Sequence, residues 1–300
     1  MKNLFIILTF TIKQALKKKS FWISNIILAI LIIGTFIFVG SDLSTIKINL
    51  TPVTDEASLE EVLPTNVIIS MAVSFLLFFG IYLYGHSIAT SIATEKTSRV
   101  IETLVTSARP YQIIFGKTLG MGLLGILQLA FLCSVTVFSY KFFIPTNLDF
   151  ISTIMDSVSL NYSSLLVLFT YFILGYLLYA FANTVIGATV SKSEDIQIAN
   201  MPLSILSLVS FYLSFFTMQK PESSLSILAS YFPFSSAFSM PAKYLTNFAE
   251  SSEVIISLLF LLVGVIILAF IAIRIYSATI LNYGNRIKLK DLFNVFLRIK

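Results

Sequence analysis

Long apolar runs alternate along this chain with short segments that carry nearly all of its charge. A helix needs about 20 predominantly apolar residues to cross the hydrocarbon core of a bilayer. Residues 21–40, 66–85, 118–140, 163–190, 196–219 and 254–273 reach that length without an Asp, Glu, Lys or Arg. The pattern predicts an all-α polytopic membrane protein with six transmembrane helices. Residues 223–242, SSLSILASYFPFSSAFSMPA, are also uncharged, but Pro233, Pro241 and the many serines interrupt them. Proline removes a backbone donor and breaks helices, and irregular backbone is not tolerated against lipid. A re-entrant or surface pair of short helices is therefore expected there. Residues 1–20 have too short an apolar stretch, followed by lysines, for a signal peptide. They read as an interfacial amphipathic helix, with Lys17, Lys18 and Lys19 anchored in anionic headgroups.

Charge gives the orientation. With the first residues placed inside, only Lys47, Lys141, Lys220 and Lys243 of the 20 basic residues fall on the outer side, together with ten of the 15 acids. Basic residues concentrate on the cytoplasmic side of membrane proteins. A seventh span at 223–242 would send the basic tail, 277–300, outside and spoil this bias. Six spans with both ends cytoplasmic is the expected topology. The charge of +5 belongs to this asymmetry and is no sign of nucleic-acid binding. At 57% hydrophobic and 12% charged residues, the composition agrees with a membrane protein.

The stretch TEKTSRVIETLVTSARP (94–110) departs from the pattern by placing charge between two apolar runs. Val100, Ile101, Leu104 and Val105 share one helical face, and Glu95, Lys96, Arg99 and Glu102 lie mostly on the other. Thr94 is a candidate cap, Glu95 and Arg99 have the favourable spacing for a helical ion pair, and Pro110 is a stop signal. Such a helix lies at the membrane surface, resting on lipid or offered to a soluble partner.

Little else in the sequence carries chemistry. One cysteine, Cys133, and one histidine, His86, leave no Cys or His cluster for a metal, and no Walker A loop, HExxH or GxSxG is present. No cofactor is expected in this chain, and it does not read as an enzyme. No carboxylate falls inside an expected span, which argues against an ion-coupled carrier. Lys117 and Arg274, near span ends, read as snorkelling side chains. Gly116 and Gly120 give a small-residue face suited to close helix packing or a dimer seam. Asn25, Gln128, Asn183 and Asn200 are polar residues within spans, serving interhelical hydrogen bonds or lining a substrate path.

The segment EKTSRVIETLVTSARPYQIIFGKTLG (95–120) resembles the permease subunits of ABC type-2 exporters, with the NatB-like sodium-, drug- and peptide-export permeases as the nearest group. The segments 174–197, 200–211, 231–245 and 274–292 are similar to that family in the same order. The resemblance implies one permease transmembrane domain over residues 1–300, with an interfacial helix at 1–20, a coupling helix at 94–109, an outer re-entrant segment at 220–250 and a cytoplasmic tail at 277–300. It implies a bacterial cell-membrane protein that exports an amphipathic peptide, a drug or sodium. ATP and magnesium would be held by a separate ABC ATP-binding subunit, and a second permease copy or paralogue would complete a dimer. Glu95, Lys96, Arg99 and Glu102 would couple to that subunit, with Glu194 and Asp195 as a secondary contact. Phe232, Pro233, Phe234, Pro241, Gln128 and Asn183 are the candidate path or outer-gate residues. Many relatives carry a large outer domain between the first two spans; here only residues 41–65 lie there. The rival functions are a membrane immunity or sensor protein that transports nothing, and an ion-coupled carrier.

Overall fold

A computed structural model describes residues 2–42, 65–143 and 162–280. The short loop between the first two expected spans and most of the basic tail lie outside the described residues.

All regular structure among the described residues is helical. The order is α1 (Lys2–Lys17), α2 (Lys19–Asp42), α3 (Thr65–Thr97), α4 (Val100–Ser107), α5 (Pro110–Phe143), α6 (Tyr162–Thr189), a 3₁₀ turn (Ser193–Asp195), α7 (Ile196–Gln219), α8 (Ser224–Tyr231), α9 (Pro233–Leu245) and α10 (Ser251–Thr279). Five helices, α3, α5, α6, α7 and α10, are long and apolar enough to cross a membrane, while α2 carries a shorter described apolar stretch, Phe21–Gly34. Most of α10's large apolar side chains, Ile255, Leu259 and Ile266 among them, point outward from the bundle, as a lipid-facing helix requires.

Two helices extend beyond their apolar runs. No breaker separates Gly85 from Thr97, and α3 continues through both to 33 residues, roughly 50 Å at 1.5 Å per residue. The charged helix expected from 94 onward is thus divided. Thr94 is not its cap but an interior residue of α3, where its Oγ1 donates to Thr90 O at 2.7 Å. Pro110 does not only end the charged segment; it is the first residue of α5, a position where its missing N–H costs nothing.

The core centres on α3 and α6, with α7, α9 and α10 packed around them. Ile81, Ile88, Tyr171, Leu178, Tyr179 and Phe238 are fully buried between these helices. Residues 223–242 fold as two short helices. The break falls at Phe232, held extended (φ −69°, ψ 123°) because the next residue is Pro233. Ser223 caps α8 by accepting from Ser226 N at 3.2 Å. At the far end of α9, Asn247 adopts a left-handed conformation (φ 61°) and Phe248 N donates to Lys243 O at 3.0 Å, the closing bond of a Schellman-type terminus.

The hairpin penetrates the bundle. A Cβ on Gly264 would lie 3.0 Å from Pro233 Cβ, and Gly264 is 13 residues beyond Ser251, the first residue of α10. The tip therefore reaches roughly 20 Å along α10. The return helix α9 ends near that helix's start, where Lys243 Nζ and Glu253 Oε2 are 3.3 Å apart. The apolar run bends back instead of crossing because α9 is almost wholly buried by its neighbours, which satisfies the freed backbone inside protein.

Helix α1 lies along α5. A Cβ on Gly116 would come within 2.8 Å of Ile7 Cγ2, and one on Gly120 within 3.1 Å of Leu8 O. The two glycines expected to serve close packing or a dimer seam are covered by α1 of the same chain, which corrects the dimer reading for that face. The pairing of residue 7 with 116 and of 11 with 120 makes the two helices parallel.

Candidate functional site

The charged segment begins inside α3. Glu95 is 3% exposed, Lys96 1% and Lys117 2%. Lys117 Nζ lies 2.5 Å from Glu95 Oε1 and donates to Ser91 Oγ at 3.0 Å, while Ser91 Oγ is 3.3 Å from Glu95 Oε1. These three side chains bind α3 to α5. Lys96 Nζ donates to Ala188 O and to Thr279 O, each at 2.9 Å. Those carbonyls belong to the last turns of α6 and α10, where no intrahelical N–H is available. The ammonium thus meets the negative ends of two helix dipoles and joins α3, α6 and α10 at one point.

Two expectations are corrected here. Lys117 does not snorkel; it is buried against a carboxylate. A carboxylate does lie within a membrane-length helix, since Glu95 falls in Val73–Thr97 and Lys117 in Pro110–Ser139. Burial of either charge alone would be prohibitive, and the pair makes both tolerable. The second carboxylate oxygen, Glu95 Oε2, has no hydrogen-bond partner among the described residues, and neither has the buried hydroxyl of Tyr276 on α10.

Beyond Thr97 the chain turns sharply. Arg99 takes a left-handed conformation (φ 57°) and α4 starts at Val100. Glu95 and Arg99 therefore do not share one helix, and the expected i, i+4 geometry is absent. Ile101 is buried, Leu104 and Val105 are half-buried, and Val100, Arg99 and Glu102 are exposed. Asn3 Nδ2 of α1 donates to Ser107 O at 3.1 Å, which fixes the far end of α4. Ser193 N donates to Thr97 Oγ1 at 3.2 Å, which brings the 3₁₀ turn beside the break. Glu194 there is exposed and Asp195 half-buried. The structure thus separates the six candidate coupling residues into two sets. Glu95 and Lys96 are internal; Arg99, Glu102, Glu194 and Asp195 lie at one end of the bundle, opposite the end from which the hairpin enters.

The candidate path residues fall in two places. Phe232 is exposed at the hairpin tip, Pro233 and Phe234 are half-buried beside it, and Pro241 is buried two turns along α9. Phe234 O accepts from Tyr179 Oη at 3.1 Å, and Tyr179 O accepts from Asn183 Nδ2 at 2.8 Å, so Asn183 is tied through α6 to the tip. Gln128 lies elsewhere, between α5 and α3, where its Oε1 accepts from the Tyr84 hydroxyl. His86 and Asn200 link α3 to α7 with Nδ1 and Nδ2 2.8 Å apart, an interhelical role.

Sequence reasoning gave Lys117 no role beyond its span end. The only local signal was its place between Gly116 and Gly120; no spacing rule pairs it with a residue 22 positions earlier.

These features define a helical membrane protein with a charged platform at one end, rigidly tied to its spans, and a proline-broken hairpin inserted from the other. Residues 41–274 match the family described as ABC-2 family transporter protein, and the chain belongs to that family. Among curated proteins it is 30% identical over 230 residues to the uncharacterized protein YhaP of Bacillus subtilis, covering 76% of this chain and 55% of YhaP. It is 24% identical over 243 residues to the uncharacterized protein MJ1024 of Methanocaldococcus jannaschii, covering 81% of this chain and 56% of MJ1024. The chain spans about half the length of these curated relatives.

Proposed function

We propose that this chain is the membrane permease of an ATP-driven exporter of the NatB-like kind, working with a separate ABC ATP-binding subunit that holds ATP and magnesium. In this reading α2 supplies the sixth span, both chain ends face the cytoplasm, and two permeases, identical or paralogous, enclose the path. The observation that carries it is the exposure of Arg99 and Glu102 where α3 passes into α4, with the turn bearing Glu194 and Asp195 held at Thr97, directly beyond the buried Glu95–Lys117 pair and Lys96. A partner that pushes on α4 pushes on α3, and through these buried bonds on α5, α6 and α10 together. Glu95 and Lys96 are then transmitting residues, and Arg99 and Glu102 the contact. The substrate class is an amphipathic peptide or drug, with sodium as the other member of the set. The hairpin tip at Phe232, Pro233 and Phe234, with Asn183 and Pro241 behind it, would form the outer gate; Gln128 would line the path at another level.

The test is co-purification with the ATP-binding subunit together with ATP-dependent efflux from proteoliposomes. Arg99→Glu with Glu102→Lys is expected to abolish both complex and efflux. Arg99→Gly, which keeps the left-handed turn open to the backbone, is expected to weaken the complex while the permease stays folded. Survival of complex and efflux in the charge-reversed variant would overturn the assignment. Glu95 is the one observation that favours an ion-coupled carrier instead. Its counter-charge, Lys117, is already built in, and efflux that persists when ionophores collapse all ion gradients would exclude that reading.

A further inference from the structure

We propose that the cavity enclosed by α1, α2, α3 and α5 binds an anionic phospholipid. Its volume is about 340 Å³, within the roughly 300–1,000 Å³ range of small-ligand pockets. Lys18, Leu28, Leu83, Thr90, Leu124 and Gln128 line it. Lys18 is the single non-helical residue between α1 and α2 and stands exposed between two further exposed lysines, Lys17 and Lys19. It lines the cavity together with Thr90 of α3. From Thr90 to Leu83 is two turns of α3, about 10 Å, and over that distance the side chains α3 gives to the cavity change from hydroxylic to apolar. Phe79, one turn beyond Leu83 on the same face, is exposed and continues the apolar wall outward. An exposed cation and an apolar channel in one cavity suit the phosphate and the acyl chain of a lipid. Basic pockets between transmembrane helices recognise acidic headgroups in this way.

The polar Gln128 has a place in the same cavity. Gln128 Oε1 is taken by the Tyr84 hydroxyl, and among the described residues its amide NH₂ makes no hydrogen bond. It is a donor for an ester carbonyl below the phosphate. Lys19, by contrast, does not line the cavity, so it shares the general attraction of the basic run for an acidic surface without sharing the site. The site requires only that these helices lie in a bilayer and needs no partner subunit; it shares Gln128 with the path proposed above, so lipid retention is read without transport.

The experiment is native mass spectrometry of the full chain in detergent, titrated with phosphatidylglycerol or with phosphatidylcholine of the same chain length. One phosphatidylglycerol should be retained in preference to phosphatidylcholine. Lys18→Glu should lower its apparent affinity about tenfold, and Lys19→Glu by no more than about twofold, because only the first lysine faces the bound phosphate. Leu124→Trp, which fills the channel without changing charge, should also abolish retention; Leu28→Trp is the second variant where the first does not fold. Equal retention of the two lipids would overturn the proposal. So would equal losses from Lys18→Glu and Lys19→Glu, the signature of diffuse surface attraction, or full retention in a folded tryptophan variant. Where neither tryptophan variant folds, the comparison of the two lysines decides.

Discussion

Replacing Lys117 by methionine would leave the Glu95 carboxylate buried with Ser91 as its remaining partner. Removing one member of a buried ion pair costs about 3–5 kcal/mol, whereas replacing both members by groups of similar volume is often close to neutral. Lys117→Met should therefore lower the thermal midpoint of the detergent-solubilised protein markedly, and Glu95→Gln combined with Lys117→Met should recover most of the loss. Fluorescence-detected size exclusion after heating measures both. A double variant as unstable as the single one would mean that packing of the lysine stem, not charge pairing, holds α3 to α5. The prediction could not have come from local sequence, where Lys117 looks like an ordinary span-end charge and Glu95 like a charge on a surface helix. What distinguishes them is that α3 and α5 each extend past their uncharged runs, so that two opposite charges meet across helices. Lys96 is the same case: its partners are backbone carbonyls of Ala188 and Thr279, which no side-chain pattern reveals.

At the scale of elements, the apolar runs at 66–85, 118–140, 163–190, 196–219 and 254–273 were legible because length and absence of charge are themselves the physical requirement for a span. The proline-broken segment was legible for the same reason: Pro233 dictates an extended Phe232 wherever it occurs. Less legible was where each helix stops. The end of α3 is set by the left-handed turn at Arg99, a conformation that a non-glycine residue adopts uncommonly and that no cap signal announces. The docking of α1 was half visible, since Gly116 and Gly120 mark a face for close approach without saying what approaches. Gly116→Leu tests the occupant now assigned to it. A Cβ alone would stand 2.8 Å from Ile7 Cγ2, so the larger side chain must displace α1, at about 1–3 kcal/mol for overpacking. A Cβ on Gly120 would lie 3.1 Å from Thr11 Cβ, so a disulfide between Thr11→Cys and Gly120→Cys, formed readily in a Cys133→Ser background, should form poorly when Gly116→Leu is added. An unchanged yield would show that α1 is not held at this face.

For the whole molecule, the two ends have different characters, and that difference makes the proposed orientation testable. The end with Arg99, Glu102 and Glu194 is charged and exposed, and it is continuous with three spans through buried bonds. At the other end α9 returns from the bundle interior to the Lys243–Glu253 pair, and the exposed residues after it lead directly into α10. A force applied at the first end has a rigid route toward the second, because α3 packs on α5, α6, α7 and α9 alike. Six spans with both chain ends inside require Glu194 and Ser252 to face opposite sides of the membrane. In a Cys133→Ser background, Glu194→Cys should react with a membrane-impermeant maleimide only in inverted vesicles, and Ser252→Cys only in intact cells. Ser252 is the informative outer position because it is exposed, whereas Ser235, within the same uncharged region of sequence, is 1% exposed and would resist reagent from either side. Labelling of both cysteines from one side would mean that α6, α7 and the hairpin do not place the platform and the gate across the bilayer from one another. Coupling of ATP use at one end to opening at the other would then have no structural path in this chain.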